Sequence, residues 1–410
     1  MPFSKLKLLP SLLKAIEENA YESPTTIQKK VIPLVLNQND IMAQAQTGSG
    51  KTASFVLPII QIILKNKGKE KAKIKALVLT PTRELTLQVS QVFNMFTKYC
   101  EKKIKVVSLI GGESIGEQLH SIQQGCDIVV ATSGRLLDIL SKKQMNLSHL
   151  EFFVLDEADK MLNQGFSNEL DSILEQIPLK RQNLMFSATY PRKIQDIVSK
   201  ISNNPINVSI EFETAIVEEI TQRVIEVNKS NRSSLLRAII KEHNLKSILV
   251  FMSTKRASEN LSAKFRKYGF KSLSFHGDLD QEERNLTLKE FKNGDINILF
   301  ATDIAARGLD IDDISCVVNF DLPRSASDYI HRIGRTARAG KSGLAISFID
   351  YEDFDHFKLI EKRYNFKIKK EQLEGFELKG SAPIKQKGNM PIKGKRKSKK
   401  DKLRELQKKD

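Results

Sequence analysis

The chain has 410 residues, of which 40% are apolar and 28% charged, with a formal net charge of +17. That length exceeds one hydrophobic core and favours two domains. No run reaches the roughly 18 apolar residues of a membrane span, and no cationic segment leads an apolar run at the N-terminus, so neither a transmembrane helix nor a secretory signal is expected. Cys100, Cys126 and Cys316 lie far apart and form no CxxC pair, which argues against a disulfide framework and a zinc site and fits a reducing cytoplasm.

In chain order, short apolar runs alternate with amphipathic helical stretches. Strands are expected at 40–43, 76–80, 105–109, 127–131, 152–155 and 183–187, with helices over 52–65, 85–99 and 167–176 among the intervening segments. An Asn-Asn-Pro turn and an acidic stretch ending at Glu219 read as a linker. The pattern then restarts, with strands expected at 221–227, 247–251, 272–275, 296–301, 316–319 and 345–349. Strands alternating with helices argue for mostly parallel sheets covered by helices on both faces. The expected organisation is thus an α/β domain over 1–205, a linker over 206–218, a second α/β domain over 219–365 and a disordered basic tail over 366–410. From Lys379 to the end there are 13 Lys or Arg against 3 acids. Such a tail suits a polyanion partner, or merely solubility. The two halves share a layout but no internal sequence repeat is visible.

Three strings carry chemistry. Ala45-Gln46-Thr47-Gly48-Ser49-Gly50-Lys51-Thr52 lies between a strand and a helix. Backbone N–H groups of such a loop wrap phosphate oxygens, Lys51 would reach the β- and γ-phosphates and Thr52 would hold Mg²⁺; a glycine-rich turn without nucleotide is the alternative. Asp156-Glu157-Ala158-Asp159 closes an apolar strand. Asp156 is placed to act through Mg²⁺ and Glu157 to deprotonate the attacking water, although acids also favour a helix N-terminus for its dipole. In His331-Arg332-Ile333-Gly334-Arg335-Thr336-Ala337-Arg338 the arginines at 335 and 338, three apart, are expected to share one helical face. They suit a γ-phosphate, or else form a solvated basic helix.

Asp156–Asp159 spells the motif that names the DEAD-box family of ATP-dependent RNA helicases, which the chain resembles from about Phe3 to Asp350. Pro81–Leu85 resembles motif Ia, Gly111-Gly112 the GG segment, Thr132–Arg135 motif Ib and Ser187-Ala188-Thr189 motif III. Val250–Lys255 is similar to motif IV, Gln281–Arg284 to the QxxR element, Ala301–Asp310 to motif V and His331–Arg338 to motif VI. Tyr21–Gln28 resembles the Q motif, with Phe3 at the expected distance upstream. The compact core with a short basic extension is similar to the bacterial RhlE-like branch.

The resemblance implies two recA-like domains that close over ATP and one RNA strand. It assigns catalysis to Lys51, Asp156, Glu157, Arg335 and Arg338, and ATP binding to Phe3, Gln28, 45–52, Gly308 and Asp310. Within that set Gln28 would read the adenine edge, Phe3 would stack on it and Asp310 would contact the ribose. Asp159, Ser187, Thr189 and His331 would couple hydrolysis to strand separation. Arg83, Gly112, Thr132, Arg135, Thr254, Gly277 and Thr302 would grip the RNA sugar-phosphate backbone with little sequence preference, while caps and turns are the competing roles of the Thr and Gly positions. Two departures stand out: Ser133 replaces the usual Pro of motif Ib, and Ala337 stands where Gly is common. The expected protein is a cytoplasmic monomer acting on structured or single-stranded RNA, with ribosomal precursors and the RNA-decay machinery as open targets. A DNA helicase on the same scaffold and an RNA clamp or annealing chaperone are the alternatives.

Overall fold

A computed structural model describes residues 1–45, 49–66, 72–163, 165–190, 192–202, 204–210, 220–243, 245–306, 314–336 and 343–381. The first domain runs through α1 (Pro10–Glu18), α2 (Thr26–Leu36), β1 (Ile41–Gln44), α3 (Lys51–Asn66), β2 (Ala76–Thr80), α4 (Arg83–Thr97) and β3 (Val106–Leu109). It continues through α5 (Ile115–Gln123), β4 (Ile128–Thr132), α6 (Ser133–Ser141), β5 (Phe152–Leu155), α7 (Ala158–Asn163), α8 (Ser167–Leu174), β6 (Gln182–Ser187), α9 (Arg192–Ile201) and β7 (Ile206–Ser209). The second domain holds β8 (Ile220–Glu226), α10 (Arg232–His243), β9 (Ile248–Met252), α11 (Lys255–Lys267), β10 (Ser272–Phe275), α12 (Gln281–Asn293) and β11 (Ile298–Thr302). After these come α13 (Asp303–Ala306), β12 (Cys316–Asn319), α14 (Ala326–Ile333), β13 (Gly343–Ile349), α15 (Phe354–Tyr364) and β14 (Lys370–Glu371).

The strand order is β3-β4-β2-β5-β6-β1-β7 in one sheet and β10-β11-β9-β12-β13-β8-β14 in the other. Renumbering the second sheet from its own first strand gives the same order, so the two domains share one topology. All described pairings are parallel, as expected. Parallel neighbours need long crossovers, and the helices supply them. The continuous apolar strands follow from burial on two faces. In β2, Ala76 and Val78 join one core cluster while Leu77 and Leu79 join the opposite one. In β9, Ile248 and Val250 likewise face away from Leu249 and Phe251.

Two boundaries need correction. Ile206–Ser209 falls in the expected linker but is strand β7, in register with β1, so the first domain reaches at least residue 209. Residues 211–219, the rest of that linker, lie outside the described set. The expected tail also begins too early. Within it β14 pairs with β8, and Leu373 and Phe376 pack against the second core. Asn228 binds Lys379 in two directions, accepting its N–H at 2.9 Å and donating to its carbonyl at 2.8 Å. Residues 382–410, the basic remainder, lie outside the described residues.

Candidate nucleotide and nucleic-acid sites

Open parallel sheets place ligands beyond the carboxyl ends of their strands, and the predicted strings gather there. Lys51 opens α3 directly after the phosphate-loop sequence. It is 6% exposed, and its Nζ has no hydrogen-bond partner among the described residues. A buried ammonium without a partner is costly, so this geometry suits an anionic ligand. Gly50 has φ +86°, and a Cβ there would meet Gln28 Nε2 at 2.6 Å, so only glycine fits. Gln46, Thr47, Gly48, Gly308, Asp310 and Arg338, all assigned to the site from sequence, lie outside the described residues.

Gln28 is buried at the start of α2. Its Oε1 accepts the Thr25 N–H at 2.9 Å and its Nε2 donates to the Gly50 carbonyl at 3.1 Å. The first bond belongs to a capping box. The second ties α2 to the phosphate loop, a link that the sequence did not disclose. Phe3 packs in the core, edge-on to Tyr21 at 6.4 Å between ring centroids. The ring that the resemblance assigns to adenine is therefore enclosed by protein in this structure.

Asp156 and Glu157 follow β5. The Asp156 N–H donates to Leu79 O at 3.0 Å, which continues the sheet, and its Oδ1 accepts the Glu157 N–H at 2.9 Å. Burial pushes the Asp156 carboxyl up to about 6, against the pull of Lys51. Such a carboxylate gains most from a bound cation, which would favour its charged form. Glu157 adopts φ +53°, a left-handed conformation uncommon for a side-chain-bearing residue. Burial opposes its charge, but Lys160, Lys51 and Arg335 outweigh that and hold the carboxyl down to about 2. Its Oε1 accepts from Lys160 Nζ at 2.6 Å, while Oε2 has no partner among the described residues.

Asp159 accepts from Thr189 Oγ at 3.0 Å, and Ser187 Oγ donates to Thr189 O at 2.7 Å, so the two strings predicted to couple are joined. From the second domain, His331 presents a buried Nδ1 with no partner among the described residues. Burial, with Lys160 beside it, holds this imidazole well below its usual value and therefore neutral. Arg335 is 5% exposed and close enough to Glu157 to lower its pKa. The adjacent Arg332 anchors α14. It binds Asp303 through Nε at 2.6 Å and Nη2 at 2.7 Å, and donates to Asp321 O at 2.6 Å.

Four of the seven predicted RNA contacts, Arg83, Thr132, Arg135 and Gly277, line one interdomain cleft together with Ser133, Phe166 and Arg284. Gly112 has φ +82°, and a Cβ there would collide with the Arg83 guanidinium. Thr254 caps α11 by accepting the Ala257 N–H at 3.2 Å, the structural role weighed for such positions. Thr302 ends β11. The cleft also holds residues that the motif Ia and QxxR resemblances named without giving them a role, Glu84 and Arg284. An Asp280–Glu283 capping box starts α12 and leaves Gln281 and Arg284 on its buried side. Arg284 Nε donates to Glu84 Oε1 at 2.6 Å, with both side chains 8% exposed, and Arg83 donates to Gln281 Oε1 at 3.3 Å. Ser133 Oγ donates to Glu169 Oε2 on α8. Among the described residues no helix is long and apolar enough to cross a membrane, and no group of three His, Cys, Asp or Glu could hold a metal.

A model described as DEAD/DEAH box helicase matches residues 25–197, and one described as helicase conserved C-terminal domain matches 231–340. The chain is 39% identical over 360 residues to the DEAD-box ATP-dependent RNA helicase CshA of Bacillus licheniformis, covering 88% of this chain and 73% of that one. Its structure is similar to S. cerevisiae Dbp5 bound to RNA and ADP BeF3, with a TM-score of 0.80 at 31% identity over 91% and 95% of the two chains. A DEAD box protein from Methanococcus jannaschii is more alike in sequence, 40% identical over 90% and 99% of the chains, yet gives a TM-score of only 0.53.

Proposed function

Because the chain belongs to the DEAD-box helicase family, we propose that its two recA-like domains form an RNA-stimulated ATPase that locally separates RNA duplexes. The observation that carries this reading is the buried corner of Lys51, Asp156 and Glu157, faced by Arg335 of the second domain. The higher TM-score to RNA- and nucleotide-bound Dbp5 than to a protein closer in sequence supports a closed placement of the domains.

In this reading Lys51 binds the β- and γ-phosphates within the loop 45–52, and Gln28 holds that loop through Gly50. Thr52 and Asp156 would hold the Mg²⁺ that accompanies ATP, and the metal would offset charge on the phosphates. Glu157 takes a proton from water as its oxygen bonds the γ-phosphorus. The bond from that phosphorus to the bridging oxygen breaks, its electron pair stays on ADP, and the proton passes on to phosphate. Arg335 and Arg338 stabilise charge developing on the transferred phosphoryl group. Asp159, Ser187, Thr189 and His331 relay the state of the nucleotide across the interface, while Gly308 and Asp310 complete the ATP contacts.

Arg83, Gly112, Thr132, Arg135, Thr254, Gly277 and Thr302 hold the RNA backbone, which positions a strand without reading bases. Gripping one strand in a closed, bent cleft expels its duplex partner, and hydrolysis reopens the cleft. The site of action is the cytoplasm, where the three free cysteines stay reduced.

The test is steady-state ATP hydrolysis without nucleic acid, with single-stranded RNA and with DNA of equal length, using Glu157→Gln as a blank. Stimulation by RNA alone is expected. Equal stimulation by DNA would sink the RNA reading, and no stimulation by either would sink the motor reading.

A further inference from the structure

Lys160, in the first turn of α7, is a buried charged group beside the catalytic corner to which the hydrolytic mechanism gives no task. Its side chain is 3% exposed and that of Glu157 is 4% exposed, and their contact is 2.6 Å. Surface pairs at this spacing are ordinary, but a buried pair loses hydration on both partners and is a poor source of stability. Lys160 also sits near the like charges of Lys51 and Arg335, which work against its ammonium. An apolar residue would pack there at lower cost, so the lysine calls for a functional reason.

The geometry supplies one. The Glu157 backbone is left-handed at φ +53°, and the Lys160 and Met161 N–H groups donate to its carbonyl at 2.9 and 3.2 Å. The main chain therefore fixes where the side chain starts, and Lys160 fixes where it ends. Of the two carboxylate oxygens, Oε1 accepts from Lys160 and Oε2 accepts from no described residue. A carboxylate that can rotate offers either oxygen in many orientations, whereas a tied one presents a single acceptor. Proton abstraction depends on that placement.

We propose that Lys160 is a positioning residue for hydrolysis: it ties Oε1 of Glu157 and leaves Oε2 as the acceptor for the proton of the attacking water. The proposal rests on Glu157 being the base, as proposed above.

The experiment measures RNA-stimulated ATP hydrolysis and binding of a fluorescent ADP analogue for Lys160→Met, Lys160→Arg, Glu157→Gln and the Glu157→Gln/Lys160→Met double variant. Lys160→Met should lower kcat about tenfold or more, with KM for ATP and affinity for the ADP analogue within about twofold of the parent. Lys160→Arg, which keeps a donor on the same face, should restore most of kcat. In the Glu157→Gln background the second change should cost less than about twofold, because the two side chains act as a unit. Unchanged analogue binding certifies the fold of each variant.

A Lys160→Met protein with parental kcat overturns the proposal. So does a rise in KM with kcat intact, which would make Lys160 a phosphate ligand instead. Failure of Lys160→Arg to recover kcat, or an equal loss in both backgrounds, overturns it as well. An active Glu157→Gln protein would bring down the reading of Glu157 itself, whereas an inert Glu157→Gln beside a fully active Lys160→Met defeats this proposal alone.

Discussion

The same corner of the fold is built twice and finished differently. After β1 the helix α3 opens on Lys51, and after β8 the helix α10 opens on Arg232. Each cation faces a carboxylate beyond the equivalent strand, Asp156 after β5 and Asp321 after β12. Lys51 Nζ finds no partner among the described residues. Arg232, 2% exposed, donates to Phe320 O at 2.8 Å and to Asp353 at 2.6 Å, and lies 3.3 Å from Asp321 and 3.4 Å from Asp350. One topology thus holds a corner whose charge is left for a ligand and a corner whose charges are spent on each other. The second domain contributes at the interface instead, through Arg335 and His331.

The largest expected effect breaks the self-satisfied corner. Arg232→Met strands Asp321, Asp350 and Asp353 around a former cation, and removing one partner of a buried ion pair costs about 3–5 kcal/mol. Urea unfolding should show the second domain losing that stability; a midpoint unchanged from the parent would mean the cluster is not a structural lock. Lys51→Met is the counterpart. It should cost about 10²–10³ in kcat, comparable to losing one preorganised stabiliser of developing charge, or about 3–4 kcal/mol. Stability should change little, since the buried Nζ makes no hydrogen bond among the described residues, and relief of its desolvation offsets the pull that Asp156 and Glu157 lose. A Lys51→Met protein that unfolds like Arg232→Met would erase the distinction between the two corners.

The sequence discloses what is local and hides what is assembled. The strings 45–52 and 156–159 are legible because a loop and a strand end each lie within a few residues. The string 331–338 is expected to carry its arginines on a helix face, but α14 ends at Ile333, Arg335 follows in a turn and Arg338 lies outside the described residues. Strands β2, β5, β10 and β12 fall where their apolar runs begin and end. Strand β7 escaped because Ile206–Ser209 is short, follows a turn signal and exposes Ile206. Strand β14 is two charged residues, and only the free edge of β8 makes it a strand. The Arg284–Glu84 bond joins positions 200 residues apart, and nothing short-range signals it beyond the shared face of Gln281 and Arg284. The Gln28–Gly50 and Lys160–Glu157 contacts were hidden for another reason. Gln and Lys in a helix are ordinary, and only burial makes them informative.

The Arg284–Glu84 pair sharpens the comparison by testing what joins the domains. Arg284→Met leaves Glu84 buried and unpaired, so closure should weaken by about 2 kcal/mol or more. That should appear as a raised RNA concentration for half-maximal ATPase stimulation, with little change in unfolding of either domain. The charge-swapped double variant, Glu84→Arg with Arg284→Glu, should recover part of the loss. A swap no better than the single change would mean that the two side chains do not act as a pair.

The smallest effect concerns Ser133, where the first domain departs from the family pattern. Its hydroxyl donates to Glu169, which ties the start of α6 to α8 beside the cleft. Ser133→Ala should cost about 1 kcal/mol for the lost hydrogen bond. Ser133→Pro loses the same donor, but its ring presets the backbone at the first turn of α6, where proline is favoured, and should recover part of that cost. Neither change removes a phosphate contact, so the salt dependence of RNA binding should keep its slope. If Ser133→Ala instead kept its stability and lowered RNA affinity equally at every salt concentration, the hydroxyl would belong to the RNA grip. Motif Ib would then hold RNA through a side chain that proline lacks, and the first domain would differ from its family in binding as well as in packing.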